Sequence, residues 1–177
     1  MTSQPGTRFR YSSAGSHLLS ALLYKLTGLN VLDYAKTHLF HPLGISKVKW
    51  SFDKQGHYHG GFGLDLAPES ITRIGQLYLD KGNHKGTVLL PESYIREATS
   101  IHSTGGFPER DNYGYHWWVS SMNGFNFHYA AGLGGQYLFV VPTLDLLVTI
   151  TSNSRQPHIE NKALFTGSIL PYYASKL

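Results

Sequence analysis

The dipeptide Asn123-Gly124 constrains the fold of this chain more than any other pair of residues. Both central positions of a type I′ turn need positive φ, which Asn and Gly tolerate, and that turn matches the twist of two antiparallel strands. On either side lie Tyr115 to Ser121 and Phe125 to Tyr129, both rich in aromatic residues. They read as the arms of a hairpin. A second pair of runs, Tyr137 to Val141 and Leu146 to Thr151, flanks Pro142-Thr143-Leu144-Asp145, a second turn. Leu138-Phe139-Val140-Val141 is continuously apolar, so this strand is expected to be buried on both faces, with helices packed over it. The stretch from about Asn161 to Ser175 is one candidate cover.

The first half reads mainly helical. Ser12 and Ser13 are plausible N-caps, Leu18, Leu19, Leu22, Leu23 and Leu26 follow at helical spacing, and Gly28 suits the C-terminal stop. A second helix is expected after Asn30, ending before Pro42. The stretch from Leu43 to Gly63 reads as irregular, with a short strand near Val48 and Trp50. Pro68 fits the first turn of a third helix with Ile71, Ile74, Leu77 and Tyr78 on its apolar face, and Pro91-Glu92 opens a fourth that ends near Ala98. Helices followed by an antiparallel meander define an α+β layout, and no linker divides it, so residues 1–177 are expected to form a single domain.

Composition narrows the class of function. Hydrophobic residues make up 41% and charged residues 15%, the balance of a chain with a core. The net charge of +4 comes from scattered Lys and Arg, so no nucleic-acid footprint is visible. There is no cysteine, which removes disulfides and thiolate metal sites and suits a periplasm or a cytosol equally. No run reaches the roughly 18 apolar residues of a membrane span, and the opening residues do not resemble a signal peptide.

Two motifs carry possible chemistry. One is Pro5-Gly6-Thr7-Arg8-Phe9-Arg10-Tyr11-Ser12-Ser13-Ala14-Gly15-Ser16, and the other is Ala130-Ala131-Gly132-Leu133-Gly134-Gly135-Gln136-Tyr137. Taken alone, Tyr11 reads as packing at a helix entry, Ser13 as a cap and the glycines as a β-turn. As an ordered pair they resemble the second and third catalytic motifs of the penicillin-binding-protein and class C beta-lactamase-like serine hydrolases. The Gly-Gly-x-Gly-Leu stretch from Gly60 to Leu64, Ile74 to Leu79, Tyr113 to Trp118 and Gln136 to Asp145 extend this resemblance over nearly the whole chain.

The resemblance implies an antiparallel sheet flanked by helices, a partial beta-lactamase/transpeptidase-like fold. It implies acyl transfer through a serine ester on a small-molecule or peptide substrate, without metal or organic cofactor. Tyr11 would assist proton transfer at the nucleophile. A phenol of ordinary pKa, about 10, needs nearby positive charge to do so. The Gln136 backbone N–H would help form the oxyanion hole, and glycines before it would let a substrate carbonyl approach. Ser13, Leu133, Gly134 and Gly135 would line the substrate. Ser13 stands where class C enzymes carry Asn, and Leu133 where Lys or His would meet a substrate carboxylate. Both departures point away from beta-lactams and toward esters or peptides.

The family's nucleophile motif, Ser-x-x-Lys, precedes the tyrosine by many tens of residues, whereas ten residues precede Tyr11 here. Two Ser-x-x-Lys strings, Ser46 to Lys49 and Ser51 to Lys54, come after Tyr11 in a loop-like stretch and are not expected to serve. The chain therefore reads as a C-terminal portion that is inactive alone, with a second copy or the N-terminal portion as partner. A non-catalytic, ligand-binding module of the same fold is the competing reading. His57-x-His59 has ligand-like spacing but reads as exposed loop, and Trp117, Trp118, Tyr115, Phe125 and Phe127 read as core rather than a sugar platform.

Overall fold

A computed structural model of the protein describes residues 3–4, 6–152 and 159–176. Helix α1 spans Ser13–Thr27. Ser12, in extended conformation, caps it by accepting the Gly15 N–H at 3.0 Å, and Gly28, at φ 73°, closes it. Asn30 caps α2, Val31–Ala35, by accepting the Asp33 N–H at 2.9 Å. That helix runs on as a π-turn over Lys36–Phe40. Strand β1, Val48–Trp50, pairs antiparallel with β2, Leu64–Leu66. Helix α3, Pro68–Leu79, begins at its proline. A two-residue pair, β3 (Asn83–His84) with β4 (Thr87–Val88), leads to α4, Glu92–Ala98.

The main sheet is a five-stranded antiparallel meander in the order β5 (Asn112–Tyr113), β6 (Trp118–Met122), β7 (Phe125–Gly132), β8 (Gln136–Val141), β9 (Leu146–Ile150). Asn123 at φ 52° and Gly124 at φ 84° join β6 to β7, as the dipeptide requires. Strand β6 starts at Trp118 rather than Tyr115, because a tight turn precedes it: His116 sits at φ 61° and the Gly114 N–H reaches the Trp117 carbonyl at 2.8 Å. The closing helix consists of α5 (Ile159–Leu164), a π-turn over Phe165–Ile169, and α6 (Leu170–Ala174). Its change of register falls just before Pro171, which has no N–H to offer the helix.

The double-sided strand is real. Alternation along β8 sends Tyr137, Phe139 and Val141 to one face and Leu138 and Val140 to the other. On the first face they meet Trp118, Phe127, Tyr129, Phe165 and Leu170, with Phe139 and Phe165 stacked at 3.8 Å. On the second they meet Ala98, Trp117 and the Ile71, Tyr78 and Leu79 side chains of α3. Gly75 lets α3 approach: a Cβ there would lie 2.5 Å from Leu147 Cδ1 and 2.7 Å from Leu138 Cδ1. The hairpin aromatics thus divide between layers, with Trp118, Phe125 and Phe127 on one face, Trp117 on the other, and Tyr115 stacked on His102 outside. Among the described residues no helix is long and apolar enough to cross a membrane.

Candidate active site

Tyr11 enters the site from the residue before the cap of α1. Its ring is 43% exposed and stacks on the buried indole of Trp118, with centroids 6.1 Å and planes 15° apart. Trp118 is held by Phe9 at 5.9 Å and Tyr113 at 4.7 Å, both edge-on. Tyr11 also lines an open groove with Phe9, Arg10, Ser12, Gly15, Ser16, Leu19, Tyr113 and His116. Burial, with a further push from Tyr11, raises the Tyr113 phenol to about 12, so Tyr113 stays protonated at neutral pH.

Ser12, not Ser13, is the helix cap; Ser13 is the first residue of α1. Gly61 packs directly on it, and a Cβ there would meet Ser13 Cα at 2.9 Å. Gly60 lies closer still to the Ser16 carbonyl. The paired glycines therefore let the loop from Ser51 to Gly63 lie against the helix. His17 Nε2 and Asp53 Oδ2, 3.0 Å apart, fasten that loop, and Ser20 Oγ donates to the Tyr58 carbonyl at 2.7 Å. Burial raises the Asp53 pKa, but backbone N–H groups of His57 and Gln55 and the His17 ring outweigh it and leave the carboxyl below its usual value.

The glycine motif forms the β7–β8 turn. Gly134 at φ 93° and Gly135 at φ 85° occupy the left-handed region that a side chain would disfavour. Leu133 projects from the tip, 93% exposed. The Gly135 carbonyl accepts Asn161 Nδ2 at 2.8 Å, and the Gln136 side chain donates to the Ser152 carbonyl at 2.9 Å, so the turn is tied to both chain segments behind it. Trp118 begins β6, Gly132 ends β7 and Gln136 begins β8, so Tyr11 on its indole and the glycine turn share one end of the sheet.

The two Ser-x-x-Lys strings have the wrong local structure for a helix-borne pair. Ser46 precedes β1 and Ser51 follows it, with Ser51 Oγ packed under Gly63. His59 stacks on Phe62 at 4.2 Å and meets the His17 ring at 5.0 Å with the planes tilted by 43°. Among the described residues no group of at least three acidic, His or Cys side chains is arranged to hold a metal.

One cluster escaped the sequence. Lys162 of α5 pairs with Asp111 at 2.8 Å and Glu109 at 3.5 Å, and donates to the Tyr129 hydroxyl at 2.8 Å. Tyr129 donates to Asp111 at 2.7 Å, and Tyr137 reaches Glu109 at 3.3 Å. Burial first, then the adjoining carboxylates, push both phenols far up. The Tyr129 ring lies 6.5 Å from Trp118 at 23°, so the cluster backs the indole that carries Tyr11.

The sequence model of the Beta-lactamase family matches residues 1–166, and the chain belongs to that family. It is 25% identical over 159 residues to the 6-aminohexanoate-dimer hydrolase of Paenarthrobacter ureafaciens, covering 84% of this chain and 40% of that protein. It is 28% identical over 97 residues to penicillin-binding protein 4* of Bacillus subtilis, covering 48% of this chain and 22% of that one. Among solved structures, a Bacillus anthracis protein named as a 6-aminohexanoate-dimer hydrolase superposes with a TM-score of 0.86 at 20% identity, over 99% of this chain and 47% of that one. A Mycobacterium bovis beta-lactamase superposes with a TM-score of 0.70 at 17% identity, over 93% and 66%. The chain is thus a beta-lactamase-family member by sequence and by fold, and spans less than half the length of these two curated relatives.

Proposed function

We propose that this chain supplies the tyrosine and oxyanion half of an acyl-serine hydrolase site. The observation that carries this reading is Tyr11, held on Trp118 yet exposed beside a groove, at the sheet end that also bears the Gly134-Gly135-Gln136 turn. Tyr11 shuttles the proton of the attacking serine, and the Gln136 backbone N–H stabilises the developing oxyanion. Ser13, Leu133, Gly134 and Gly135 border the acyl group. The bond cleaved is an ester, amide or peptide; the name of the two hydrolase relatives, which specifies a 6-aminohexanoate dimer, favours an amide.

The serine and lysine come from the part of the domain that the relatives possess beyond the matched region. This chain alone is inactive, because loss of the nucleophile removes covalent catalysis and leaves only weak residual effects. A nitrophenyl-ester assay combined with a fluorophosphonate probe tests this. No turnover and no labelling are expected from the isolated chain. Labelling at Ser46 or Ser51 overturns the assignment. If a polypeptide carrying a helix-borne Ser-x-x-Lys, added to this chain, is also never labelled, the ligand-binding module replaces the enzyme.

A further inference from the structure

The Gly134-Gly135 turn is a poor holder of its own backbone. Both residues lie at positive φ, 93° and 85°, and neither has a side chain to resist rotation of the peptides around it. Leu133 at the tip is 93% exposed and offers the turn little packing. Yet the acyl-serine reading asks the Gln136 N–H to stabilise a developing oxyanion, and such a donor works by being fixed before the reaction begins. A group outside the turn has to hold that peptide.

The holder is on α5. Asn161 Nδ2 donates to the Gly135 carbonyl at 2.8 Å. That carbonyl and the Gln136 N–H belong to one trans peptide unit, whose two polar groups point in opposite directions. A bond that fixes the oxygen toward α5 therefore fixes the N–H away from it. Accepting the bond also polarises the peptide and strengthens its N–H as a donor. Two further features suit this contact. A Cβ on Gly135 would lie 2.6 Å from Asn161 Nδ2, so the amide reaches the carbonyl only across a glycine. The Gln136 side chain donates to the Ser152 carbonyl at 2.9 Å, which anchors the residue on the other side of the same peptide.

Helix α5 is itself anchored, and by the next residue. Lys162 pairs with Asp111 at 2.8 Å and donates to the Tyr129 hydroxyl at 2.8 Å and the Glu109 carbonyl at 3.1 Å. The Tyr129 ring stacks on Trp118, the bed of Tyr11. Adjacent residues of one short helix thus reach both halves of the site, Asn161 the glycine turn and Lys162 the support of Tyr11. Tyr11 and the turn are far apart in sequence, and α5 sets them against a common frame.

We infer that Asn161 is a positioning residue for the oxyanion donor: it holds the Gly135–Gln136 peptide with its N–H turned away from α5, while Lys162 keeps α5 in place relative to Tyr11. This inference deepens the acyl-serine reading and rests on it.

The test is backbone amide relaxation by NMR on this chain, residues 1–177, with Asn161→Asp as the variant. Aspartate has the size and shape of asparagine but, ionised at neutral pH, has no N–H to offer the carbonyl. In the native chain the Gln136 amide is expected to be as rigid as the interior of β8, with an order parameter of about 0.85. In Asn161→Asp it should fall below about 0.6, while Leu138 and Val140 stay rigid and report an intact sheet. A Gln136 amide already loose in the native chain overturns the inference, and that arm needs no variant. So does a Gln136 amide that stays rigid in Asn161→Asp, since shape alone then holds the turn. Fluorophosphonate labelling of a polypeptide carrying a helix-borne Ser-x-x-Lys, mixed with this chain, separates the inference from the reading beneath it. Labelling about tenfold slower with Asn161→Asp than with the native chain is expected. Equal labelling with both, despite a loosened Gln136 amide, overturns the inference and leaves the acyl-serine reading standing. No labelling even with the native chain sinks that reading, and the oxyanion role of the turn falls with it.

Discussion

Tyr11 lies stacked on Trp118 with ring planes 15° apart, yet the two rings differ sharply in environment, one 43% and the other 3% exposed. The indole belongs to the core and the phenol to the groove. Trp118→Ala is therefore expected to cost about 3–5 kcal/mol, as for a large ring removed from a packed core. Tyr11→Ala should cost no more than about 1.5 kcal/mol, the worth of one aromatic pair. Urea unfolding of both variants checks this, and a loss above about 3 kcal/mol for Tyr11→Ala makes that ring a structural one.

The Lys162 ammonium is the cation between Glu109 and Asp111, whose carboxylates are largely buried. Lys162→Met leaves two acidic groups facing each other, at an expected cost of about 3 kcal/mol or more. Lys162→Met with Asp111→Asn removes one of those charges and should recover a measurable part of the loss. A double-mutant cycle by denaturant unfolding reads the coupling, and additive effects contradict the account.

His128 is 5% exposed, and its Nε2 is buried with no hydrogen-bond partner in the described structure. The rings of Trp117 at 5.0 Å and Tyr78 at 6.0 Å enclose it. Burial pushes its pKa down to about 4 from the 6.5 of an exposed histidine. The unfolded chain thus binds a proton that the folded chain refuses. Stability is full above pH 6.5, falls as the pH drops from about 6.5 to about 4, and levels off below, with a total loss of about 3 kcal/mol. Unfolding at pH 7.5 and 4.5 should show the loss in the native chain, and His128→Phe should show a shallower pH dependence. An unchanged slope in the variant rules His128 out as its source.

Gly75 permits the closest approach between α3 and the sheet. Gly75→Val drives its side chain into Leu138 and Leu147, so overpacking of about 1–3 kcal/mol should outweigh any gain in helix propensity. The urea midpoint is expected to fall with the slope of the transition unchanged, and a raised midpoint refutes the tight contact.

Features that rest on local chemistry were legible in the residues. Ser12 and Gly28 bound α1, Pro68 opens α3, and Asn123-Gly124 makes the hairpin, because each needs only near neighbours to act. The paired strands β3 and β4 and the short β5 were not legible, since two residues carry no period. Of the site, Tyr11 and the Gly134-Gly135 turn stood out through their motifs. The Lys162 cluster did not: Lys162 and the Glu109 carbonyl it bonds are 53 positions apart, and no single one of those residues is unusual.

The sequence by itself determined where α1 starts and stops, where α3 opens and where the β6–β7 hairpin turns, that β8 would be buried on both faces, and which family's motifs the chain carries. Only the tertiary structure decided that Trp118 becomes the bed for Tyr11, that Lys162 backs it through Tyr129, and that α1 turns its serines inward and its leucines out. The physical reason is that caps, turns and periodicity act over a few residues, whereas the face a helix buries depends on what the rest of the fold sets against it.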